Sequence, residues 1–526
     1  MKNYITHLYL IAIFISLSNE DASGQTTFQK TFGTAGGYTG RCSVQQTTDG
    51  GYVISGGIYA NGTTGVDAFL MKTNSNGDVT WSKTYGSSNI EWAIDAKQTL
   101  DGGYIITGEM EDQSRIVFLL KTDMNGDTVW VRRFEANYLS FFWGSVVATS
   151  DGGYATAFPY SLPGTFAIHL AKTDQNGNLL WTKEYGDLTT RLLPYSIHET
   201  SDHGFIITGL ESPSLSSEYN VILIKADSVG NVEWSKTYGT DAVQEVAYDV
   251  EQTDDGGYIV NAFAFGSTLL IRTNSVGDTL WTRLFGVYPN SFFAASVRQT
   301  SDDGFILAGG IGPIGAGTGY LHLVKTNSGG DTLWTRSIGS TGFNTAASSI
   351  QETISKGFII AGGRGIYNAG NYQIYVAETD SFGHVGCDET HIMTAVDIDT
   401  IQVASFYVPT TSLNSAASSF QISQGTFGNE GVLCYNAVDD PKAHEDLNVY
   451  SNPFHTSAII ILPSQQKISS IKLFDEYGRE VSFNYQSSHQ GSKTQLTIER
   501  ENLASGMYFL SITSNEKREV VKLMIE

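Results

Sequence analysis

One short motif recurs along most of the chain and limits what this chain can fold into. The segment "TTDGGYVISGG" begins at Thr47, and a close copy, "TLDGGYIITGE", begins at Thr99. A threonine precedes the turn in seven copies, at Thr47, Thr99, Thr149, Thr200, Thr253, Thr300 and Thr353. The turn itself falls at Asp49, Asp101, Asp151, Asp202, Asp255 and Asp303 and, in degraded form, at Ser355. This self-similarity indicates one supersecondary unit used seven times.

Each copy contains four strand-like runs. In the second copy they are "AIDAKQT", "GYIITGE", "IVFLLKT" and "TVWVRRF". Asp-Gly-Gly and Asn-Gly-Asp turns separate the runs, and glycine and asparagine accept the positive φ that tight hairpins need. Four antiparallel strands in about 40–50 residues are typical of a propeller blade, with an open solenoid as the alternative. The predicted fold class is all-β.

A tryptophan recurs at the end of the second motif of each copy, for example in "TDMNGDTVW". Six copies carry it, at Trp81, Trp130, Trp181, Trp234, Trp281 and Trp334, which are 47 to 53 residues apart. A large ring at the same place in each unit predicts packing between neighbouring blades. The spacing resembles the tryptophan-docking motif of pyrroloquinoline quinone-type propellers, a resemblance that implies this packing and no quinone.

The two ends of the repeat predict how it closes. The seventh copy reaches its third strand at "QIYVAET", from Gln373, but lacks the strand that carries the tryptophan. The segment "FQKTFG", from Phe28, matches "WSKTYG" at Trp81. We therefore predict that residues 25–390 form a seven-bladed β-propeller, closed by its N-terminal strand, which would bury both terminal edges.

The N-terminus predicts where the protein is sent, and the net charge limits which partners it can bind. Lys2, the apolar run "LYLIAIFISL" and the small residues before Gln25 predict a signal peptide over residues 1–24, because ten apolar residues are too few to span a bilayer, which takes about 20. No other stretch predicts a transmembrane span in the mature form. A net charge of −23 argues against nucleic acid as a partner.

The repeat stops in the C-terminal quarter. Residues 391–446 read as an irregular Ser/Thr-rich segment that ends in the acidic linker "VDDPKAHED". Residues 447–526 then show alternating strand patterns, "IKLFDEYGREV" and "LASGMYFLSI" among them. These patterns predict a small β-sandwich with hairpin turns near Gly478 and Gly506.

The same segment resembles the C-terminal sorting domain, type A, of the type IX secretion system of Bacteroidetes. The motif residues are Asn452, Pro453, Asp475, Gly478, Gly506, Tyr508 and Lys522, whereas Ser451 stands where the family usually has proline. The resemblance implies recognition by the type IX secretion machinery and export through the outer membrane. It further implies removal of the domain, with release of the protein or attachment to the cell surface. An adhesive Ig-like module without an export role is the alternative.

Three cysteines in an exported chain predict one disulfide. We predict the pair Cys387 and Cys434, whose loop of 46 residues would stabilise the fold by about 3–4 kcal/mol in the entropic account. Cys42 is predicted to be a buried thiol, because it occupies an inner-strand position held in other copies by Ile94, Gly144, Tyr195 and Ala295.

Three motifs suggest chemistry without completing a site. "GIGPIG" at residues 310–315 precedes a strand rather than a helix and is interpreted as a glycine loop without a cofactor. Asp123, Asn125 and Asp127 are spaced like the start of a calcium loop, but no distal glutamate follows, so a hairpin turn is predicted and no metal. His198 and His203 lack a third ligand and are interpreted as solvated turn residues.

The loops that vary between copies are the candidate binding surface. They lie at the end of the sheets opposite the Asp-Gly-Gly turns and carry aromatic residues; the candidate ligand-binding residues are Trp92, Tyr138, Phe142, Trp143 and Tyr288. Because aromatic faces stack on sugar rings, a glycan is the first expected ligand and a protein the second. The sequence shows no catalytic set and favours a binding or adhesion module; the alternative is a hydrolase or lyase acting on extracellular polysaccharide.

Overall fold

The computed structural model is all-β and divides into two compact units, one spanning Gln25–Val438 and the other containing Asp439–Glu526. It describes residues 27–33, 41–59, 65–87, 89–111, 115–135, 144–213, 218–239, 244–286, 290–313, 319–340, 342–365, 372–386, 389–390, 395–397, 402–405, 410–413, 423–425, 430–436, 448–450, 457–462, 468–475, 480–490, 493–500, 503, 506–514 and 517–525. Within these ranges there are strands and turns and no helix, so no helix there could cross a membrane.

Seven antiparallel sheets in the first unit share one plan of four strands, each paired to its neighbour. The first strand of the chain, β1 (Thr27–Phe32), belongs to the last sheet, sheet 7, in which it is the fourth strand. Sheet 1 has β2 (Ser43–Gln46), β3 (Tyr52–Tyr59), β4 (Val66–Thr73) and β5 (Val79–Gly86), and sheet 2 has β6 (Ile90–Gln98), β7 (Tyr104–Glu111), β8 (Arg115–Thr122) and β9 (Thr128–Glu135). Sheet 3 has β10 (Ser145–Ala148), β11 (Tyr154–Leu162), β12 (Thr165–Thr173) and β13 (Leu179–Tyr185).

The remaining sheets continue in chain order. Sheet 4 has β14 (Thr190–Glu199), β15 (Phe205–Pro213), β16 (Asn220–Ala226) and β17 (Val232–Gly239), and sheet 5 has β18 (Val246–Gln252), β19 (Tyr258–Ala264), β20 (Ser267–Thr273) and β21 (Thr279–Gly286). Sheet 6 has β22 (Asn290–Gln299), β23 (Phe305–Pro313), β24 (Tyr320–Thr326) and β25 (Thr332–Ile338), and sheet 7 has β26 (Asn344–Glu352), β27 (Phe358–Gly365) and β28 (Gln373–Thr379) besides β1. Repeated four-stranded antiparallel sheets are the predicted building blocks of a propeller.

The N-terminal strand completes the last sheet. β1 pairs antiparallel with β28, so that Phe28 lies opposite Glu378 and Phe32 opposite Ile374. This is the pairing that the match between "FQKTFG" and "WSKTYG" predicts. Every residue of β1 is buried, including Lys30, because β1 has a partner strand on both sides.

The described residues after the repeat form strands, whereas the sequence predicts an irregular segment over residues 391–446. These are six short strands: β29 (Glu389–Thr390), β30 (Ala395–Asp397), β31 (Gln402–Ser405), β32 (Thr410–Leu413), β33 (Ser423–Gly425) and β34 (Glu430–Asn436). They add a fifth strand to sheets 6, 5, 4, 3, 1 and 7 in that order, against the fourth strand of each. We call these six strands the belt. Strands this short show no clear alternation in sequence, and an existing sheet edge supplies their hydrogen bonds.

The turn at the start of each second strand is built by one set of side chains. In sheet 3, Thr149 Oγ1 donates to Asp151 Oδ1 at 2.6 Å, the Gly153 amide donates to the same oxygen at 2.9 Å, and buried Lys172 pairs with Asp151 at 2.8 Å. Burial acts to raise the pKa of Asp151, but these donors hold it at about 2. The equivalent acid in sheet 6 is Asp302, not Asp303.

Each recurring tryptophan packs on the next sheet, as predicted. The half-buried ring of Trp81 covers Gly126, where a Cβ would lie 2.7 Å from the ring, and stands 5.7 Å from the ring of Tyr104. The same arrangement joins Trp130 to Gly177, Trp181 to Gly230, Trp234 to Gly277, Trp281 to Gly330 and Trp334 to Gly383. In sheet 7, Phe28 takes the tryptophan position and covers Gly77 of sheet 1.

The second unit holds two four-stranded sheets. One pairs β35 (Asn448–Tyr450), β36 (Ser457–Leu462), β40 (Lys493–Glu499) and β39 (Asn484–Gln490), and the other pairs β38 (Glu480–Val481), β37 (Ile468–Asp475), β41 (Gly506–Ser514) and β42 (Lys517–Ile525). One buried apolar cluster includes Ile460 and Leu496 from the first sheet and Leu473 and Leu510 from the second. Two sheets around one core form the predicted β-sandwich.

Candidate binding site

The first strands of all seven sheets line one cavity. It is bounded by a layer of five serines and two aspartates at equivalent positions, which are Ser43, Asp95, Ser145, Ser196, Asp249, Ser296 and Ser349. Cys42 also borders the cavity with its side chain 2% exposed, so the predicted buried thiol is confirmed. We call this cavity, together with its continuation towards the Asp-Gly-Gly turns, the channel, and its two ends the turn end and the loop end.

Charged groups inside the channel hold neighbouring sheets together. Asp249 is 6% exposed and accepts hydrogen bonds from Ser196 Oγ at 3.0 Å, from Ser296 Oγ at 2.9 Å and from Arg298. Burial acts to raise the pKa of Asp249, but the charge of Arg298, together with His198 and the hydrogen bonds from Val297 and Ser296, lowers that pKa. Asp95 likewise accepts from Ser145 Oγ at 2.8 Å and pairs with Lys97. Both aspartates are therefore already bound by groups of their own protein.

The channel widens to a volume of about 440 Å³ towards the turn end. Lys97, His198, Glu251 and Arg298 line it there. Burial and the neighbouring Arg298 lower the pKa of His198 to about 4, while burial raises the pKa of Glu251. His198 thus faces the channel rather than solvent, which corrects its interpretation as a solvated turn residue, whereas His203 is exposed in its turn as predicted.

Aromatic rings gather at the loop end over sheets 3 to 6, half-buried except for that of Tyr195, which is buried. The ring of Tyr248 lies 5.2 Å from that of Tyr195 and 4.6 Å from that of Phe293, and Phe293 lies 5.6 Å from Phe263. Phe166 and Tyr219 pack against the same cluster. We call these six residues the aromatic array. Tyr195 and Tyr248 also border the channel, so the array extends to its loop end.

Two guanidinium groups lie on the aromatic array. The Arg41 carbon Cζ stands 5.5 Å from the centre of the Tyr248 ring. That of Arg191 stands 5.5 Å from the Phe166 ring and 5.8 Å from the Tyr219 ring. The rings are tilted or perpendicular to one another, at 59° to 87°, so the array presents ring faces and edges with guanidinium donors beside them.

An exposed phenylalanine stands at the tip of a hairpin next to the array. Phe265 and Gly266 form the two-residue turn between β19 and β20, both with positive φ, and the Phe265 side chain is 54% exposed. A left-handed backbone costs a bulky residue roughly 1–2 kcal/mol. Strain of this kind, combined with exposure of an aromatic ring, is a recurring feature of functional sites.

The structure locates only part of the predicted ligand-binding set. Trp92 is half-buried in β6, where its ring lies against Gly57 of sheet 1 and Arg115 stands 5.9 Å from it. Tyr138, Phe142, Trp143 and Tyr288 lie outside the described residues. Sequence reasoning missed Tyr248, Phe263 and Phe265, which sit within strands or a tight turn rather than in long loops. Their signal was an aromatic residue at a position that other copies fill with different residue types.

The remaining motifs fit structural roles. Asp123 Oδ1 accepts the backbone amides of Asn125 and Asp127, each at 2.8 Å, and Asp127 pairs with Lys83, so this segment is a turn. Gly310–Pro313 belongs to strand β23 and not to a loop. Over the ranges described here, no group of three metal-ligating side chains comes together. Cys387 lies outside those ranges, so its disulfide with Cys434 stays a prediction.

The sorting motif is only partly described. Asn452, Pro453 and Gly478 lie outside the described residues. Asp475 pairs with Tyr508 in the second sheet of the sandwich, Gly506 pairs with Ile525, and Lys522 pairs with Phe509. Tyr508 is buried in the core of the unit.

Comparison with known proteins identifies the C-terminal unit as a member of a class of export signals. Residues 448–526 match the family described as "Secretion system C-terminal sorting domain". The protein therefore carries a type IX sorting domain, interacts with that secretion machinery, and is exported to be secreted or held at the cell surface.

Other comparisons add little. No curated protein matches the chain. Among solved structures, the chain is similar to Chaetomium thermophilum Sqt1, crystallised bound to the N-terminus of the ribosomal protein L10. The TM-score is 0.31 and the identity 7%, over 67% of this chain and 97% of that one. Neither fold nor function follows from a similarity this low.

Proposed function

We propose that this protein is an exported seven-bladed propeller that binds an extracellular glycan at its loop end. Closure of the seven sheets into a ring is supported by one repeated hydrogen bond. The donor is the backbone amide of the residue that follows the turn threonine of one sheet. The acceptor is a glutamine or glutamate side chain on the first strand of the next sheet, at 2.7 to 2.9 Å. Six of the seven junctions between neighbouring sheets have this bond. The junction between sheets 7 and 1 has the same bond, from the Ile354 amide to Gln46.

The aromatic array is the observation that carries the binding role. Its rings belong to four sheets, all except that of the buried Tyr195 are partly exposed, and Tyr195 and Tyr248 border a polar channel. Sugar rings present apolar C–H faces and polar edges, which suit aromatic faces with nearby hydroxyl and guanidinium donors. A protein ligand is the second candidate, since the exposed ring of Phe265 could equally enter a pocket on a partner.

A hydrolase or lyase acting on extracellular polysaccharide is the alternative function. The observation in its favour is the group of His198, Glu251 and Arg298 at the turn end of the channel. Against it, the Gln299 amide donates to Glu251 at 2.6 Å, and Arg298 is already bound to Asp249. These groups serve the junctions between sheets, so we favour binding.

The test is a glycan array probed with the purified protein and two matched variants. Phe265→Ala removes an exposed ring at the loop end, and Phe382→Ala removes one, 63% exposed, at the turn end. We expect Phe265→Ala to reduce binding at least tenfold at an unchanged melting temperature and Phe382→Ala to have no effect. Equal binding by both variants, or turnover of a bound polysaccharide, would contradict the proposal.

A further inference from the structure

One residue of each first strand lines the wide part of the channel, two positions after the serine or aspartate that bounds the narrow part. In sheets 6, 7, 1 and 2 this residue carries hydrogen-bond donors, and the four are Arg298, Gln351, Gln45 and Lys97. In sheets 3, 4 and 5 it is Val147, His198 and Glu251. We call these seven residues the turn-end ring. The space they enclose, about 440 Å³, lies within the range of small-molecule sites.

Three members of the turn-end ring are held in place by the junctions between sheets. Gln45 Oε1 accepts the backbone amide of Gln98 at 2.7 Å, and Gln351 and Glu251 each accept an amide of the next first strand, at 2.7 and 2.6 Å. Each bond uses one of the two polar atoms at the end of the side chain. Within the described residues the other atom, Nε2 of each glutamine and Oε1 of Glu251, has no hydrogen bond. Polar atoms fixed in this way bind a ligand at a low cost in entropy.

The two cations of the turn-end ring are paired with the aspartates of the narrow part. Lys97 lies 2.8 Å from Asp95, and Arg298 donates from Nη1 to Asp249. The Nη2 and Nε groups of Arg298 make no hydrogen bond to any residue that the structure describes. The pairs therefore cancel in charge and still leave donors that face the channel.

The remaining polar groups add no positive charge. Glu352 also lines this part of the channel, but both of its oxygens accept from Ser301, at 2.8 and 2.9 Å. Burial raises the pKa of Glu251. Burial, and next the charge of Arg298, lower the pKa of His198 to about 4, so at pH 7 its imidazole is neutral and has one donor and one acceptor nitrogen. A site without surplus positive charge does not select an anion.

The side of the channel formed by sheet 3 is apolar. Val147 and Ala148 line it, and both are half-buried. The channel at this level thus combines one apolar wall with many donors and few acceptors. A ligand that fits has an apolar face, and its polar groups accept hydrogen bonds and also donate them.

We infer that the turn end of the channel binds a neutral mono- or disaccharide, at a site separate from the loop end. Sugar hydroxyl groups both accept and donate hydrogen bonds. Their oxygens accept from the amide groups of Gln45 and Gln351, and one hydroxyl donates to Glu251. The C–H face of the sugar ring lies on Val147. This inference needs the ring closure of the proposed function but not its loop-end site.

The test is calorimetry on the full-length protein with glucose, galactose, mannose, xylose, maltose, cellobiose and lactose. Acetate serves as an anionic probe and glycine as a zwitterionic one. We expect a submillimolar Kd for at least one of the sugars and no binding of acetate or glycine, because the charges of the turn-end ring are already paired.

Two variants remove a donor from the turn-end ring and keep its junction bond. Gln45→Glu and Gln351→Glu retain the oxygen that accepts the amide and replace the free N–H donor with an acceptor. Each should weaken sugar binding at least tenfold at an unchanged melting temperature. Gln252→Glu is the matched control, because Gln252 accepts the Ser201 amide at 2.7 Å in another junction and does not line the channel.

Three outcomes would overturn the inference. They are no binding of any of the sugars, tighter binding of acetate or glycine than of the sugars, and sugar binding that survives both glutamine variants. Sugar binding that is lost in Phe265→Ala instead would assign it to the loop end, and so contradict this inference and support the proposed function. Conversely, sugar binding that only the glutamine variants abolish, without any glycan bound at the loop end, would contradict the proposed function alone.

Discussion

The side chain of Gln46 in sheet 1 accepts a hydrogen bond at 2.8 Å from the backbone amide of Ile354 in sheet 7, which lies 308 residues away in the sequence. The equivalent bond between consecutive sheets joins Gln98 to the Thr48 amide at 2.9 Å. The first and last sheets are thus joined by the same contact as neighbours in the chain.

This equivalence predicts the effect of removing either bond. Gln46→Ala and Gln98→Ala should each lower the free energy of unfolding by about 1 kcal/mol, the usual contribution of one hydrogen bond. Urea titration of the two variants measures this. In an open array Gln46 would lie at a free end, so a negligible effect of Gln46→Ala beside a full effect of Gln98→Ala would contradict ring closure.

Glycine substitutions can isolate the packing of the recurring tryptophan. Gly126 and Gly102 both have positive φ, of 77° and 80°. A Cβ at Gly126 would meet the Trp81 ring at 2.7 Å, whereas one at Gly102 meets nothing within 4 Å. Gly102→Ala should therefore cost about 1–2 kcal/mol of stability from backbone strain alone, and Gly126→Ala about 1–3 kcal/mol more from overpacking. If thermal unfolding showed equal losses of stability for Gly102→Ala and Gly126→Ala, the packing of the Trp81 ring would not require its close approach to Gly126.

Three copies place a residue other than glycine where the turn needs positive φ. These are His203, Asp303 and Lys356, with φ of 64°, 62° and 67°. Lys356→Gly should raise the free energy of unfolding by up to about 1 kcal/mol, because relief of strain exceeds the added flexibility of the unfolded chain. Lys356→Ala keeps the strain and serves as the control. A gain from alanine equal to that from glycine would assign the effect to the lysine side chain instead.

The seventh sheet should make stability depend on pH. Ser355 and Glu378 occupy the positions of the aspartate and lysine that pair in other copies, and burial raises the pKa of Glu378 from 4.5 to about 7. The folded state holds this proton more tightly than the unfolded state does. Its contribution is therefore complete below pH 4.5 and is lost as the pH rises towards 7, by an amount on the order of 3 kcal/mol.

Two variants test this assignment by denaturant unfolding between pH 4 and 8. Glu378→Gln should remove this part of the pH dependence and stabilise the protein at pH 8. The double change Ser355→Asp with Glu378→Lys restores the residue pair of the other sheets and should do the same. An unchanged pH profile in both variants would assign the dependence to another group.

The disulfide between Cys387 and Cys434 remains a prediction that chemistry can check. Peptide mapping without reduction should link these two residues and leave Cys42 as a thiol. The backbone of Cys434 pairs with Gln29, next to the closing strand, so the bond would fasten the end of the belt. A peptide that links Cys42 to either partner would refute the pairing.

The sequence by itself determined the repeat, the four-stranded unit and the origin of the closing strand. These features follow from local chemistry. The turn Thr149–Gly153 needs a hydroxyl donor, a carboxylate acceptor and a residue that tolerates positive φ, each at a fixed position, so the same residue types recur in the sequence. The export route could also be predicted from the sequence, because the sorting domain is recognised by short motifs within its own residues. The prediction that Asp303 is the acid of the sixth turn was wrong by one residue, because "DDG" contains two aspartates. Only the turn geometry shows that Asp302 accepts the hydrogen bonds.

Only the tertiary structure decided the belt and the aromatic array. Most belt strands are too short to show a period of their own, and they form because the fourth strand of a sheet already offers an edge. The array brings Tyr248 of sheet 5 next to Arg41, which precedes sheet 1 and is more than 200 residues away in sequence. Such proximity depends on how the sheets are arranged around the channel, and no single copy of the repeat contains that information.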